Sequence, residues 1–122
     1  MTQQLVIDHV SKVFGGLKAV ADVTMTIEQG TLIALIAPNG AGKTTLFNML
    51  TGESGPSSGT ITLYTADGPV DITKKKAYQV AKLGVARTFQ NIRLFGAMTV
   101  KENVLVARTH LYRESFIGTM LR

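Results

Sequence analysis

At 122 residues the chain has the size of one domain, large enough for a real core and too short for two. An apolar fraction of 45% against 17% charged residues fits a soluble globular protein, and the lack of cysteine excludes disulfides, thiolate metal sites and a cysteine nucleophile. No apolar run approaches the roughly 18–20 residues that cross a bilayer, and "MTQQLVIDHV" carries neither the basic region nor the apolar core of a secretion signal.

Residues 4–10, "QLVIDHV", read as a short strand with Leu5 and Ile7 on one face and Val6 and Val10 on the other. The glycines of "FGGLKAV" break it and return the chain to a second strand, "DVTMTIEQG", where Val23, Met25 and Ile27 alternate with Thr24 and Thr26. Residues 31–37, "TLIALIA", are apolar at nearly every position, the pattern of a strand buried on both faces. "GKTTLFNML" (Gly42 to Leu50) is helical, and Gly52 stands where a C-terminal cap would. "GESGPSSGT" reads as a loop, "TITLYT" (Thr60 to Thr65) as a strand, and Asp67-Gly68 as a tight turn into "PVDIT". "KKKAYQVAKLG" has helical spacing with Ala77, Tyr78, Val80 and Ala81 facing inward, and "VARTFQ" (Val85 to Gln90) reads as another strand. Thr99-Val100-Lys101-Glu102 has the pattern of a capping box that opens a helix. The sum is α/β with mixed strand pairing.

The net charge of +5 is spread along the chain apart from Lys74, Lys75 and Lys76, with few aromatics among the basic residues. A solvated surface explains it better than a nucleic-acid face, and an anionic ligand would account for part of the excess.

The chemistry sits in "APNGAGKTT", Ala37 to Thr45. The first amides of a helix lack partners inside it and lie at the positive end of its dipole, so a phosphate placed there satisfies both. Gly40 and Gly42 allow the tight backbone that wraps it, and Asn39 tolerates left-handed angles. Lys43 extends to the outer phosphates as a point charge, and the Thr44 hydroxyl is a ligand for Mg²⁺. An unliganded glycine-rich connection is the plainer reading of such a loop. The apolar strand before it and the helix after it favour the phosphate loop. Ala37 stands where the usual pattern has glycine. If its backbone has negative φ the methyl costs little; if positive, the strain is of order 1–3 kcal/mol, with weakened nucleotide binding expected.

"PNGAGKTT" together with "GVARTFQNIRLFGAMTVKENVLVA" resembles the ATP-binding subunits of ABC transporters, from about Leu5 to His110. "FGGLKAV", "SGPSSGTI" and "RTFQNIRLF" are most similar to the branch that powers high-affinity import of branched-chain amino acids. The resemblance implies a P-loop NTPase core with an antiparallel β-subdomain and the start of a helical subdomain. Residues 1–122 would be its N-terminal portion, with the phosphate loop at 37–45 and a glutamine loop around 90. ATP and Mg²⁺ are the implied cofactors. Phe14 then matches the aromatic that stacks on adenine, although by itself it reads as a core or strand-end residue. Asn39, Gly40, Ala41, Gly42, Lys43, Thr44 and Thr45 match the phosphate loop. Gln90, otherwise a plain polar residue at a strand end, matches the glutamine that reaches Mg²⁺ and the attacking water, so that Lys43 and Gln90 carry the catalytic roles and Thr44 and Gln90 the metal.

The implied partners are integral membrane permease subunits touched near Asn91 to Met98 through Arg93, Leu94 and Phe95, a second ATP-binding subunit, and indirectly a periplasmic or extracellular solute-binding protein; no nucleic acid is implied. The location that follows is the cytoplasmic face of the cell membrane. The family also uses an apolar strand ending in Asp-Glu, an "LSGGQ" signature and a switch histidine, none of which follows Gln90 here; "GPSSGT" is a turn, and His9 and His110 match no functional position. ATP binding without turnover by this chain alone is therefore expected. A different P-loop enzyme, a small-molecule kinase or GTPase, leaves "RTFQNIRLF" without a role and lacks a guanine-reading Asn-Lys-x-Asp. A non-hydrolysing module that keeps the permease-facing surface stays open.

Overall fold

The first half of the chain is built on a long hairpin, β1 (Gln3–Phe14) and β2 (Leu17–Glu28), turned by Gly15 and Gly16. The computed structural model describes residues 2–108 and divides the chain into two units, one running to Arg87 and one from Thr88. In the first unit the hairpin is followed by α1 (Lys43–Leu50), β3 (Ser58–Thr65), β4 (Gly68–Asp71) and α2 (Ala77–Lys82). The four strands form one sheet in the order β2-β1-β3-β4, every neighbour antiparallel.

Burial along β2 follows the expected alternation: Val23, Met25 and Ile27 are half-buried, and Thr24 and Thr26 exposed. Along β1 it does not. Ile7 and Val10, three residues apart and expected on opposite faces, both reach the same core. The cause is a bulge: His9 takes φ 48°, and the ladders to both neighbouring strands slip between Ile7 and Ser11. One extra residue resets the phase of the strand. Asp22, opposite on β2, also has φ 48°. The third strand tolerates the bulge because it brings a glycine: a Cβ on Gly59 would lie 2.3 Å from the His9 carbonyl oxygen.

The core is Ile7, Val10 and Val20 of the hairpin, Ile61 and Leu63 of β3, Ile72, Val80 of α2, and Leu46 and Met49 of α1. Leu46 and Met49, one helical turn apart, anchor α1 on the sheet. In α2, however, only Val80 is buried; Ala77 and Ala81 are exposed, and Tyr78 is 60% exposed. A six-residue helix makes fewer than two turns and presents one side chain inward, where its spacing had promised four.

Two expected strands are not formed among the described residues. Segments 31–37 and 85–90 pair with no strand, so the parallel pairing of a mixed sheet is missing and the observed sheet is antiparallel. Leu32 is 100% and Ile36 90% exposed. Apolar residues on both faces fit a central strand, but a strand exists only where a neighbour takes its amides and carbonyls.

In the second unit, α3 (Val100–Ala107) opens with the expected capping box: the Thr99 amide donates to Glu102 Oε2 at 2.7 Å, and the Glu102 amide to Thr99 Oγ1 at 3.3 Å. Asn103 ties the preceding loop to this helix. Its Oδ1 accepts from the Phe95 amide at 3.0 Å, and its Nδ2 faces the carbonyls of Phe95, Met98 and Thr99 at 3.0–3.3 Å. His110 lies outside the described residues.

Candidate functional site

The loop from Ala37 to Gly42 tightens before α1. The Ala41 amide donates to the Pro38 carbonyl at 3.2 Å, Gly40 takes φ 81°, and Gly42 takes φ 89° as the residue that caps the helix. Gly42 is required twice over. Its angle is left-handed, and a Cβ there would lie 2.2 Å from the Ala19 carbonyl oxygen of β2. The loop is thus seated against the hairpin. The first intrahelical bond runs from the Leu46 amide to the Gly42 carbonyl at 2.9 Å, and Gly42 has no side chain to cap the earlier amides. The amides of Lys43, Thr44 and Thr45 remain as donors at the positive end of the helix dipole.

Lys43 reaches back over its own loop. Its Nζ donates to the carbonyls of Ala37 and, at 2.8 Å, Pro38. The ammonium is held at the loop by contacts that an anion can replace. Ala37 itself has no left-handed backbone, since His9 and Asp22 are the non-glycine residues with positive φ among those described. The strain by which its methyl was expected to weaken binding does not arise.

The loop and the hairpin tip enclose a cleft of ≈ 540 Å³, lined by Phe14, Leu17, Lys18 and Ala19 on one side and Asn39 to Thr45 on the other. Two lysines and no carboxylate line it, which suits a polyanion. Phe14 is 52% exposed at its mouth. The cleft's oxygen donors include the hydroxyls of Thr44 and Thr45. That set fits Mg²⁺, which binds through one or two protein oxygens with phosphate and water completing its shell.

The ABC transporter family matches residues 20–120. This chain is a member of the ABC transporter family. The high-affinity branched-chain amino acid transport ATP-binding protein LivG of Salmonella typhimurium is 44% identical over 109 residues, 89% of this chain and 41% of LivG. BraF of Pseudomonas aeruginosa, described in the same words, matches with the same identity and coverage. This ABC chain therefore spans well under half the length of these relatives. The ADP conformation of MJ1267, an ATP-binding cassette of an ABC transporter, superposes with a TM-score of 0.78 at 30% identity, over 99% of this chain and 46% of that one. The fold is that of an ABC ATP-binding cassette in part.

Of the residues singled out in the sequence, Phe14 and Asn39 to Thr45 converge on one cleft of this ABC chain. Gln90 is exposed and belongs to the second unit, as do Arg93, Leu94 and Phe95. Three residues with structural claims on these regions were not singled out, although Arg87 and Asn103 lie within the quoted runs. Arg87 Nη1 donates to Asn48 Oδ1 at 2.7 Å and lies 3.5 Å from Glu53 Oε1, tying the chain after α2 to the end of α1. Asn103 holds the loop that follows Gln90. Lys12 sits beside Phe14. Their partners are distant in sequence or on a loop of unpredictable shape, and composition offered no hint of them.

Proposed function

We propose that this chain carries the ATP-binding elements of an importer's energy-coupling subunit, the solute being a branched-chain amino acid. The convergence of Phe14 with the phosphate loop on one carboxylate-free, lysine-bearing cleft supports this reading most directly. ATP lies with its phosphates along Asn39 to Thr45, where the backbone amides of the first helical turn donate to their oxygens. Lys43 exchanges the carbonyls of Ala37 and Pro38 for the outer phosphates, a charged acceptor in place of neutral ones. Thr44 would hold Mg²⁺, which when bound offsets the charge of the phosphates. Phe14 offers adenine a flat apolar face that reads its ring plane rather than its edges.

Hydrolysis needs a group that polarises water and a cap over the γ-phosphate. No carboxylate lines the cleft, and neither an Asp-Glu pair nor "LSGGQ" occurs in these 122 residues. The chain binds MgATP and leaves turnover to residues it does not itself supply. The partners in this reading are permease subunits, reached through the exposed Ile92, Leu94 and Phe95, a second ATP-binding subunit, and indirectly a solute-binding protein. The site of action in this reading is the cytoplasmic face of the membrane, as the resemblance to importer ATP-binding subunits suggests; no helix among the described residues is long and apolar enough to cross a membrane.

Titration of the purified chain with a fluorescent ATP analogue and Mg²⁺, beside Lys43→Ala, tests the reading. Saturable binding that Lys43→Ala abolishes is expected. No binding to a chain shown folded by circular dichroism would overturn it. Those same exposed apolar residues also favour a second reading, an interaction module without nucleotide, which would capture the permease regardless of Lys43→Ala.

A further inference from the structure

The loop after α1 is fastened to the end of β1 that carries Phe14. The Ser57 amide donates to the Ser11 carbonyl at 2.8 Å, and the Val13 amide donates to Ser57 Oγ at 3.0 Å. Between them, the Lys12 ammonium donates to the Gly55 carbonyl at 2.5 Å and stands 5.2 Å from the centroid of the Phe14 ring. Lys12 and Phe14 are two apart on β1, and the contact between ammonium and ring brings their side chains together. The "GPSSG" turn thereby acquires a role that its sequence did not disclose. It anchors the lysine that lies over the aromatic ring.

We propose that Lys12 is the positioning residue for the base: held by the Gly55 carbonyl, its ammonium fixes the Phe14 ring by a cation–π contact at the mouth of the cleft, ready to stack. A cation over a ring face restricts the ring's rotamers before any ligand arrives, and preorganisation of this kind strengthens binding by lowering the ordering cost. Lys12 is not among the residues that line the cleft, so it acts through Phe14 and not on the phosphates. The proposal rests on the reading of Phe14 as the base-stacking residue.

The effect therefore belongs to the base alone, and two probes separate it from general attraction for anions. Binding of MgATP and of magnesium tripolyphosphate is measured by calorimetry for the parent, Lys12→Met, Lys12→Arg and Phe14→Ala chains, each checked for folding by circular dichroism. Lys12→Met keeps the stem and removes the charge. It is expected to weaken ATP by about two- to five-fold relative to tripolyphosphate, the factor of an exposed cation–π contact. Lys12→Arg retains the parent ratio. If Lys12→Met weakens both probes equally, or neither, while Phe14→Ala weakens ATP alone, the role of Lys12 is overturned and that of Phe14 stands. If Phe14→Ala leaves ATP binding unchanged, both fall together.

Discussion

Two small residues of the phosphate loop behave in opposite ways, and the backbone angle decides which. Gly42 combines φ 89° with a would-be Cβ 2.2 Å from a backbone oxygen of β2. Gly42→Ala must move the loop off the hairpin, with an expected loss of about 2 kcal/mol or more in urea unfolding and loss of ATP binding. Ala37 has no such constraint. Ala37→Gly is therefore expected to leave ATP affinity within about two-fold of the parent while lowering stability by up to about 1 kcal/mol through unfolded-state entropy. A large gain in affinity on adding the glycine, by the same titration, would show that the methyl obstructs the loop in some way other than strain. The usual glycine at this position is thus dispensable for the conformation seen here.

Among the elements, those that formed as read are the ones whose signals are local. The glycine pair turns the hairpin, the loop glycines lead into α1, and Thr99 with Glu102 opens α3. The phase of β1 was not legible, because the bulge at His9 depends on Asp22 across the ladder and on Gly59 in the third strand. Nor were the segments 31–37, whose apolar pattern specifies burial on both faces but supplies no neighbour, and 85–90, which read as a strand without one. The candidate loop at 37–45 could be singled out for the opposite reason, since its residues are nine in a row and most of them line one cleft, whereas Lys12, Arg87 and Asn103 act through contacts that no spacing announces. For Asn103 the consequence is measurable. Asn103→Asp keeps the acceptor for the Phe95 amide but removes the donor that faces three carbonyls. Hydrogen exchange at residues 95–99 is expected to speed up in Asn103→Asp and further in Asn103→Ala, with ATP affinity unchanged. Equal exchange in both variants and the parent would show that the capping box alone shapes the loop.

Across the whole molecule, two kinds of surface feature govern behaviour in solution. The first is charge at the sheet. The 2.7 Å hydrogen bond to Asp22, then the charges of Asp22 and Asp8, raise the pKa of His9. Its contribution to stability is present below the ordinary histidine pKa of about 6.5 and is lost as pH rises through the raised one. Asp71 is shifted down by hydrogen bonds from the Thr73 hydroxyl and amide, so its contribution is present above the ordinary range near pH 4 and lost as pH falls through the lowered value. His9→Gln is expected to flatten the fall in thermal midpoint on the neutral side, Asp71→Asn that on the acid side, and both effects shrink in salt because the groups are exposed. The second feature is larger. Leu32, Ile33 and Ile36 leave an apolar, unpaired segment open to solvent among the described residues. Continuous exposed apolar surface recruits apolar partners, and an extended backbone with free amides recruits strands. The chain is therefore expected to bind the dye ANS while folded and to scatter light increasingly with concentration. Leu32→Lys with Ile36→Lys removes exposed apolar area without touching the core of Ile7, Val10, Leu46 and Ile61. That pair should abolish most of the dye binding and the scattering, yet leave the urea midpoint within about 0.5 kcal/mol of the parent. If instead the pair unfolds the chain, the segment is buried in solution and its reading as an open apolar surface is overturned.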